Sequence, residues 1–150
     1  MLDVTHPRID AEAVARLRGV ISRLSRQFNR SATDEGLTPS QAAVLGLIAF
    51  RGPISIADVT RIEGLNPTMV SRIVGRLDEL GHITRSQNPD DLRAALVEAT
   101  TGGRETNERI RAQRAVVVTA CLERMSAAQR DLIVAALPAL EALDVELSAG

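Results

Sequence analysis

The side chains best suited to chemistry with a partner fall in Asn66-Pro67-Thr68-Met69-Val70-Ser71-Arg72, followed one turn later by Arg76. Thr68 and Ser71 offer short hydroxyls. Arg72 and Arg76 offer planar guanidinium forks that fit the N7 and O6 edge of guanine or a pair of phosphate oxygens. A second cluster, Asn88-Pro89-Asp90-Asp91-Leu92-Arg93, carries one more arginine at a turn-rich tip, where Asp91 is placed to restrain Arg93 by a charge-assisted hydrogen bond. This is recognition chemistry rather than bond-making chemistry. No nucleophile elbow, phosphate loop or histidine–cysteine pair accompanies these residues, and Asp90 and Asp91 in the open are poor general acids or bases. An enzyme is therefore not expected.

The elements that must position these groups are well punctuated. Asn66 suits a helix N-cap and Pro67 the first helical position, while Val70, Ile73 or Val74, Leu77 and Leu80 recur at helical spacing up to Gly81, which suits a left-handed C-terminal position. Thr68, Ser71, Arg72 and Arg76 then lie on or beside the opposite face. Two extended runs, His82 to Arg85 and Ala94 to Val97, flank the turn-rich tip and read as a hairpin. Upstream, Thr38-Pro39-Ser40-Gln41 is a capping box opening a helix to about Phe50, with Ala43, Val44, Leu47 and Ile48 on its buried side. Ser55 to Asp58 is a second capping box opening a short helix to Glu63, and Gly64-Leu65 forms a tight turn before Asn66. Two helices joined in this way are the signature of a helix-turn-helix, and the hairpin makes it a winged one.

The ends of the chain are helical too. Ile9, Ala13, Leu17, Val20, Leu24 and Phe28 describe one long amphipathic helix, whose other side carries Arg16, Arg18, Arg23, Arg26 and Arg30; Asn29 to Leu37 reads as a loop. After an expected break at Thr100 to Gly103, a helix spans Arg104 to Met125 with Ile110, Val117, Cys121 and Leu122 as inward candidates. Ser126 to Gln129 opens a last helix with a wide stripe of Leu132, Ile133, Ala136, Leu137, Leu140, Leu143 and Leu147, in which Pro138 is expected to bend or break the helix. The fold class expected is mostly α, an α+β winged helix-turn-helix of about six helices and a β-hairpin wing. Residues 38–100 form the DNA-binding domain, and residues 1–37 and 101–150 the dimerisation helices. The terminal stripes are wider than a small winged helix covers, so two chains are expected to intertwine as a homodimer.

Composition bounds the rest. The chain has 150 residues, 45% of them apolar, and no apolar run approaches the length of a membrane span. The first residues, MLDVTHPRIDAE, lack the pattern of a signal peptide, so a cytoplasmic protein is expected. A single cysteine, Cys121, excludes an internal disulfide, and with His6 and His82 far apart no zinc spacing exists; no metal and no cofactor are expected. The apolar neighbours of Cys121 favour a buried structural thiol over a redox sensor. All 18 basic residues are arginine, yet the net charge is −1, and within residues 51–93 six arginines meet six acids. A nucleic-acid face must therefore come from sorting charges onto sides.

The same residues resemble the MarR family of bacterial winged-helix transcriptional regulators over nearly the full chain. Leu65 to Arg72 is similar to the family's recognition-helix opening, Leu77 to Arg85 to its helix end and first wing strand, and Pro89 to Ala94 to its wing tip. The resemblance implies a homodimer on a pseudo-palindromic operator in double-stranded DNA, usually repressing transcription and often released by a small anionic or aromatic ligand. It implies that Thr68, Ser71 and Arg72 contact the major groove and Arg93 the minor groove. Together with the reading of the residues, the DNA-binding set is Asn66, Thr68, Ser71, Arg72, Arg76, Asp91 and Arg93. The family's ligand pockets lie between dimerisation helices and winged helix, which makes Arg16, Phe28, Leu37 and Phe50 candidate lining residues. Two departures stand out: Leu92 occupies a position that is often a second arginine, and Ala99 one that is commonly leucine, a change expected to loosen packing under the wing. The competing reading is a winged-helix dimer that binds protein partners without specific DNA.

Overall fold

The computed structural model describes residues 10–30 and 35–149. Ile9 and His6, the middle of the expected loop before Leu37, and Gly150 lie outside the described residues. Among those described are helices α1 (Ala11–Asn29), α2 (Pro39–Arg51), α3 (Ile56–Glu63), α4 (Pro67–Glu79), α5 (Thr101–Glu123) and α6 (Ala127–Ala149), with strands β1 (Ile54–Ser55), β2 (Ile83–Gln87) and β3 (Ala95–Ala99). The mostly helical winged fold is as the sequence led us to expect.

Each helix start has its chemical reason. At α2 the Thr38 hydroxyl accepts from the Gln41 N–H at 3.2 Å while the Gln41 side chain accepts from the Thr38 N–H at 2.9 Å, a complete capping box. Ser55 Oγ accepts from the Asp58 N–H at 3.1 Å to start α3, and Gly64 ends it with φ of 61°, a backbone conformation that a Cβ disfavours.

The hairpin is longer than its sequence signal, and it is not alone. β2 and β3 pair from Ile83↔Ala99 to Gln87↔Ala95, and β1 adds antiparallel to the far side of β3, giving a three-stranded sheet in the order β1-β3-β2. A two-residue strand gives no period to read, so β1 was invisible in the sequence.

The core lies under the helix-turn-helix. Val44, Leu45 and Ile48 from α2, Val59 from α3, Val70, Ile73, Val74 and Leu77 from α4, and Ile83, Val97 and Ala99 from the sheet form one buried cluster, closed by Leu37 and by Ile110 of α5. Ala99 is only 2% exposed, so the smaller residue does not leave the base of the wing open.

The expected break at Thr100 to Gly103 is instead the beginning of α5. Thr100 Oγ1 accepts from the Gly103 N–H at 3.0 Å and donates to the Gly81 carbonyl at 2.6 Å, so a single hydroxyl caps α5 and ties it to the end of α4. Gly103 sits against the backbone of His82, where any Cβ would collide with the His82 carbonyl. The glycines here serve close packing, not chain reversal.

Pro138 does not break α6, which runs unbroken through it. No residue of α6 is buried, so the carbonyl that loses its N–H partner to proline stays open to water. Along α5, Ile110 is buried as expected, but Val117 and Cys121 are exposed and Leu122 is only half-buried. The buried structural cysteine is thus corrected within this chain: Cys121 Sγ accepts from Arg124 Nη2 at 3.2 Å on the surface of α5. The stripe that carries it has left the core behind.

Candidate nucleic-acid interface

The α4 helix separates its two faces cleanly. Val70, Val74 and Leu77 are fully buried and Ile73 is 5% exposed, while Thr68, Met69, Ser71, Arg72 and Arg76 are all exposed. Asn66 caps the helix, its Oδ1 accepting from the Thr68 N–H at 2.8 Å. That oxygen is committed to the helix, so only the amide NH2 of Asn66 is left to meet a partner. Thr68 and Arg72, one turn apart, face directly away from the core.

The arginines differ in what already holds them. Arg76 Nη1 pairs with Glu79 at 3.2 Å and Arg85 Nε pairs with Asp78 at 3.2 Å, both exposed contacts. Pairs of this kind contribute about 0–1 kcal/mol, so a phosphate can displace the carboxylate. Among the described residues no carboxylate lies within ion-pair distance of Arg72 or Arg93.

Side chain–backbone bonds fold the wing tip. Asn88 Oδ1 accepts from the Asp90 N–H and Asp91 Oδ1 from the Arg93 N–H, each at 3.0 Å, and the Asn88 N–H donates to the Ala94 carbonyl at 3.0 Å. The expected restraint of Arg93 by Asp91 therefore exists, but through the backbone N–H rather than the guanidinium. Asp91 shapes the turn and leaves the Arg93 head to its partner. Beside it, Leu92 is 70% exposed, and Arg85, Ser86, Gln87, Leu92 and Arg93 line a shallow depression of about 320 Å3 along the wing.

The base of the wing is anchored on α4 and α5 together. The His82 N–H donates to the Leu77 carbonyl at 2.9 Å, and the Thr100 N–H donates to the His82 carbonyl at 3.0 Å. The His82 ring is partly buried near Arg109, which itself pairs with Glu35 at 3.1 Å. Burial and the Arg109 charge push the His82 imidazole below its ordinary pKa of 6.5, with Glu35 opposing. On α3, hydrogen bonds from Ser55 and Arg61 hold the Asp58 carboxyl below the usual range, and burial raises that of Glu63.

The four expected ligand-lining residues do not come together. Leu37 is a core residue at 2% exposure. Phe28 lines one depression with Ile21, Leu24 and Ser25, Phe50 lines another of about 520 Å3 between α2 and α5, and Arg16 lines neither. What the two depressions share is Arg114, whose Nε and Nη2 are buried without a hydrogen-bond partner among the described residues. Arg114 was not among the residues expected from sequence, although Arg104, Arg111 and Arg114 fall at helical spacing on α5. Nor was Met69 expected as a surface group.

This geometry is that of a winged helix presenting a polar helix face beside an arginine-tipped wing. A sequence model of the MarR family matches residues 35–94, which span the helix-turn-helix and the wing as far as its tip. Over those residues the chain is similar to the MarR family. One relative is an HTH-type transcriptional regulator, YdgJ, of Bacillus subtilis, 27% identical over 125 residues, covering 83% of this chain and 74% of that protein. Another is the transcriptional activatory protein BadR of Rhodopseudomonas palustris, 29% identical over 96 residues, 62% of this chain and 55% of that one. Among solved structures, wild-type MarR of Escherichia coli in its apo form superposes with a TM-score of 0.75 over 90% of this chain and 98% of that one, at 22% identity. Both relatives are transcriptional regulators by name, and the solved structure shares the winged-helix fold of this chain. No described helix is long and apolar enough to cross a membrane.

Proposed function

We propose that this chain is a MarR-family transcriptional regulator that works as a cytoplasmic homodimer on a pseudo-palindromic operator and represses transcription by occupying it. The carrying observation is the pairing of two exposed arginine heads without acidic partners among the described residues, Arg72 on α4 and Arg93 on the wing, on one winged helix-turn-helix. In this reading Thr68, Ser71 and Arg72 meet base edges in the major groove, Arg76 and the Asn66 amide meet the backbone, and Arg93, aimed by the Asp91 turn, enters the minor groove. The dimer reading rests on α1 and α6, in which no residue is buried although Leu17, Leu24, Leu132, Leu137 and Leu140 are all large and apolar. Residues 1–37 and 101–150 supply that interface, leaving residues 38–100 to the DNA.

Release by a small anionic or aromatic ligand is part of the same reading, supported by the depression that Phe50, Arg111 and Arg114 line between α2 and α5. Repression follows from occupancy alone where the operator overlaps promoter elements; an upstream operator would convert the same binding into activation. The test is a fluorescence-anisotropy titration of the promoter upstream of the gene against random duplex, across a range of salt, with promoter-driven transcription measured alongside. Tighter binding to the promoter with a steep salt slope and reduced transcription is expected. Equal affinity for both duplexes refutes the reading and leaves protein recognition as the role of the winged helix; raised transcription refutes repression alone.

A further inference from the structure

Most of the exposed large apolar side chains among the described residues lie on α1, α5 and α6, and four lie elsewhere: Phe50, Met69, Leu80 and Leu92. Val14 to Phe28 on α1, Val116 and Val117 on α5, and Leu132 to Leu147 on α6 form long stripes. Met69 belongs to none of them. It is 43% exposed in the first turn of α4, and among the described residues it is the one large apolar side chain exposed within that helix. It is not needed by the core, which Val70, Ile73 and Val74 close beneath it. Its neighbours along the helix surface are Arg72, three residues on, and Arg76, seven residues on, both exposed.

We propose that Met69 selects thymine, by packing its thioether end on the C5-methyl group of one thymine in each half-site. This rests on the DNA-reading function proposed above. The residues at the start of a recognition helix meet base edges, and the C5-methyl of thymine is the apolar feature that the major groove displays. Thr68 and Arg72, on the adjoining strip of the same turn, are equipped for donors and acceptors; Met69 is equipped for neither. Its unbranched, polarizable chain follows a methyl group without demanding a fixed approach. Arg72 beside it fixes the register in which that methyl is offered.

The test starts from an operator selected in vitro from random duplexes. Each thymine of the half-site is then replaced by deoxyuridine, which removes the methyl and keeps every base-pair hydrogen bond. For the wild-type protein one position per half-site is expected to lose about fourfold in affinity, the effect of one methyl taken out of an apolar contact, and about 16-fold when both half-sites are changed. In Met69→Ala, and in Met69→Gln, which keeps the chain length but not its apolar end, that position is expected to become indifferent to the methyl while the salt slope and the melting temperature stay as in wild type. If no thymine has a methyl dependence that disappears in both variants, the Met69 assignment is wrong and the DNA-reading function stands. If selection enriches no sequence at all, the DNA-reading function falls and the Met69 assignment with it.

Discussion

Arg72 and Arg76 lie one turn apart on the same helix, and their different surroundings predict different losses. Arg72 has no carboxylate within ion-pair distance among the described residues, so Arg72→Ala breaks nothing in the free protein, and its whole effect falls on the complex. A bidentate contact to guanine is worth about 1–3 kcal/mol of discrimination, roughly 5- to 150-fold, at each half-site. The two half-sites of a dimer multiply that factor. Arg76 begins bonded to Glu79 at 3.2 Å, so its move to a phosphate trades one weak exposed pair for another charge interaction. Arg76→Ala should therefore weaken specific and random DNA alike. It should flatten the plot of log affinity against log salt by about 0.9 for each phosphate that is no longer neutralised, or about 1.8 per dimer. Anisotropy titrations on the selected operator, on the same operator with one base pair changed per position, and on random duplex separate the two effects. An Arg72→Ala variant that lowers affinity for all sequences equally, or an Arg76→Ala variant that relaxes the preference at one base pair, would refute these assignments.

Three further predictions concern the frame. Thr100→Val removes the hydroxyl that caps α5 and holds the Gly81 carbonyl, and should cost roughly 1–2 kcal/mol of stability, seen as a fall of about 3–6 °C in melting temperature at fixed protein concentration; an unchanged melting curve refutes the role. Leu140→Glu puts a carboxylate in the exposed apolar stripe of α6 and should shift the sedimentation coefficient from dimer to monomer at low micromolar protein, whereas a dimer as tight as wild type would remove α6 from the interface. His82 favours its neutral form in the folded chain because its pKa is lowered from 6.5. The unfolded chain then binds the extra proton first, so this group's contribution to stability is present above pH 6.5 and is lost as pH falls below it. Urea midpoints at pH 5 and pH 7.5 should therefore converge in His82→Gln; an equal pH dependence in variant and wild type would exclude His82 as its source.

What the sequence makes legible is set by how local its cause is. The starts of α2, α3 and α4 were readable because a cap involves residues two or three apart: Thr38 with Gln41, Ser55 with Asp58, Asn66 with Thr68. The start of α5 was not read, although its cap, Thr100 with Gly103, is as local: the two glycines read as a break, and what fits Gly103 into the helix is the His82 backbone packed against it, some twenty residues away in sequence. Strand β1 escaped for the same reason, since its definition is its pairing with Val97 and Leu96. At the candidate site the polar face of α4 was legible from period alone. The turn chemistry of Asp91 was only half legible: the acid and the arginine were correctly paired, but proximity in sequence does not say whether the backbone N–H or the side chain is the donor. The ligand-lining candidates fared worst, because which residues share a depression depends on how helices cross.

The division between α4 and the terminal helices also explains where regulation can act. Within one chain the winged helix closes its own core, from Leu37 to Ile110, with no residue drawn from α1 or α6. In the proposed dimer a single such unit would span one half-site, so the spacing and angle between two units, not the shape of either, would decide whether both recognition helices enter successive major grooves. In the proposed dimer that spacing would pass through α5, which is buried at its start, beside the base of the wing, and has no buried residue beyond Ile110. Arg109, paired with Glu35 and near the His82 ring, lies in the first half of α5, and Arg114, whose Nε and Nη2 have no hydrogen-bond partner among the described residues, lies just past its middle. In the proposed dimer a charge bound or released there would tilt a lever rather than unfold a domain. Affinity for the operator would then change through the geometry of two rigid readers, while the contacts proposed for Arg72 and Arg93 within each half-site would keep their chemistry.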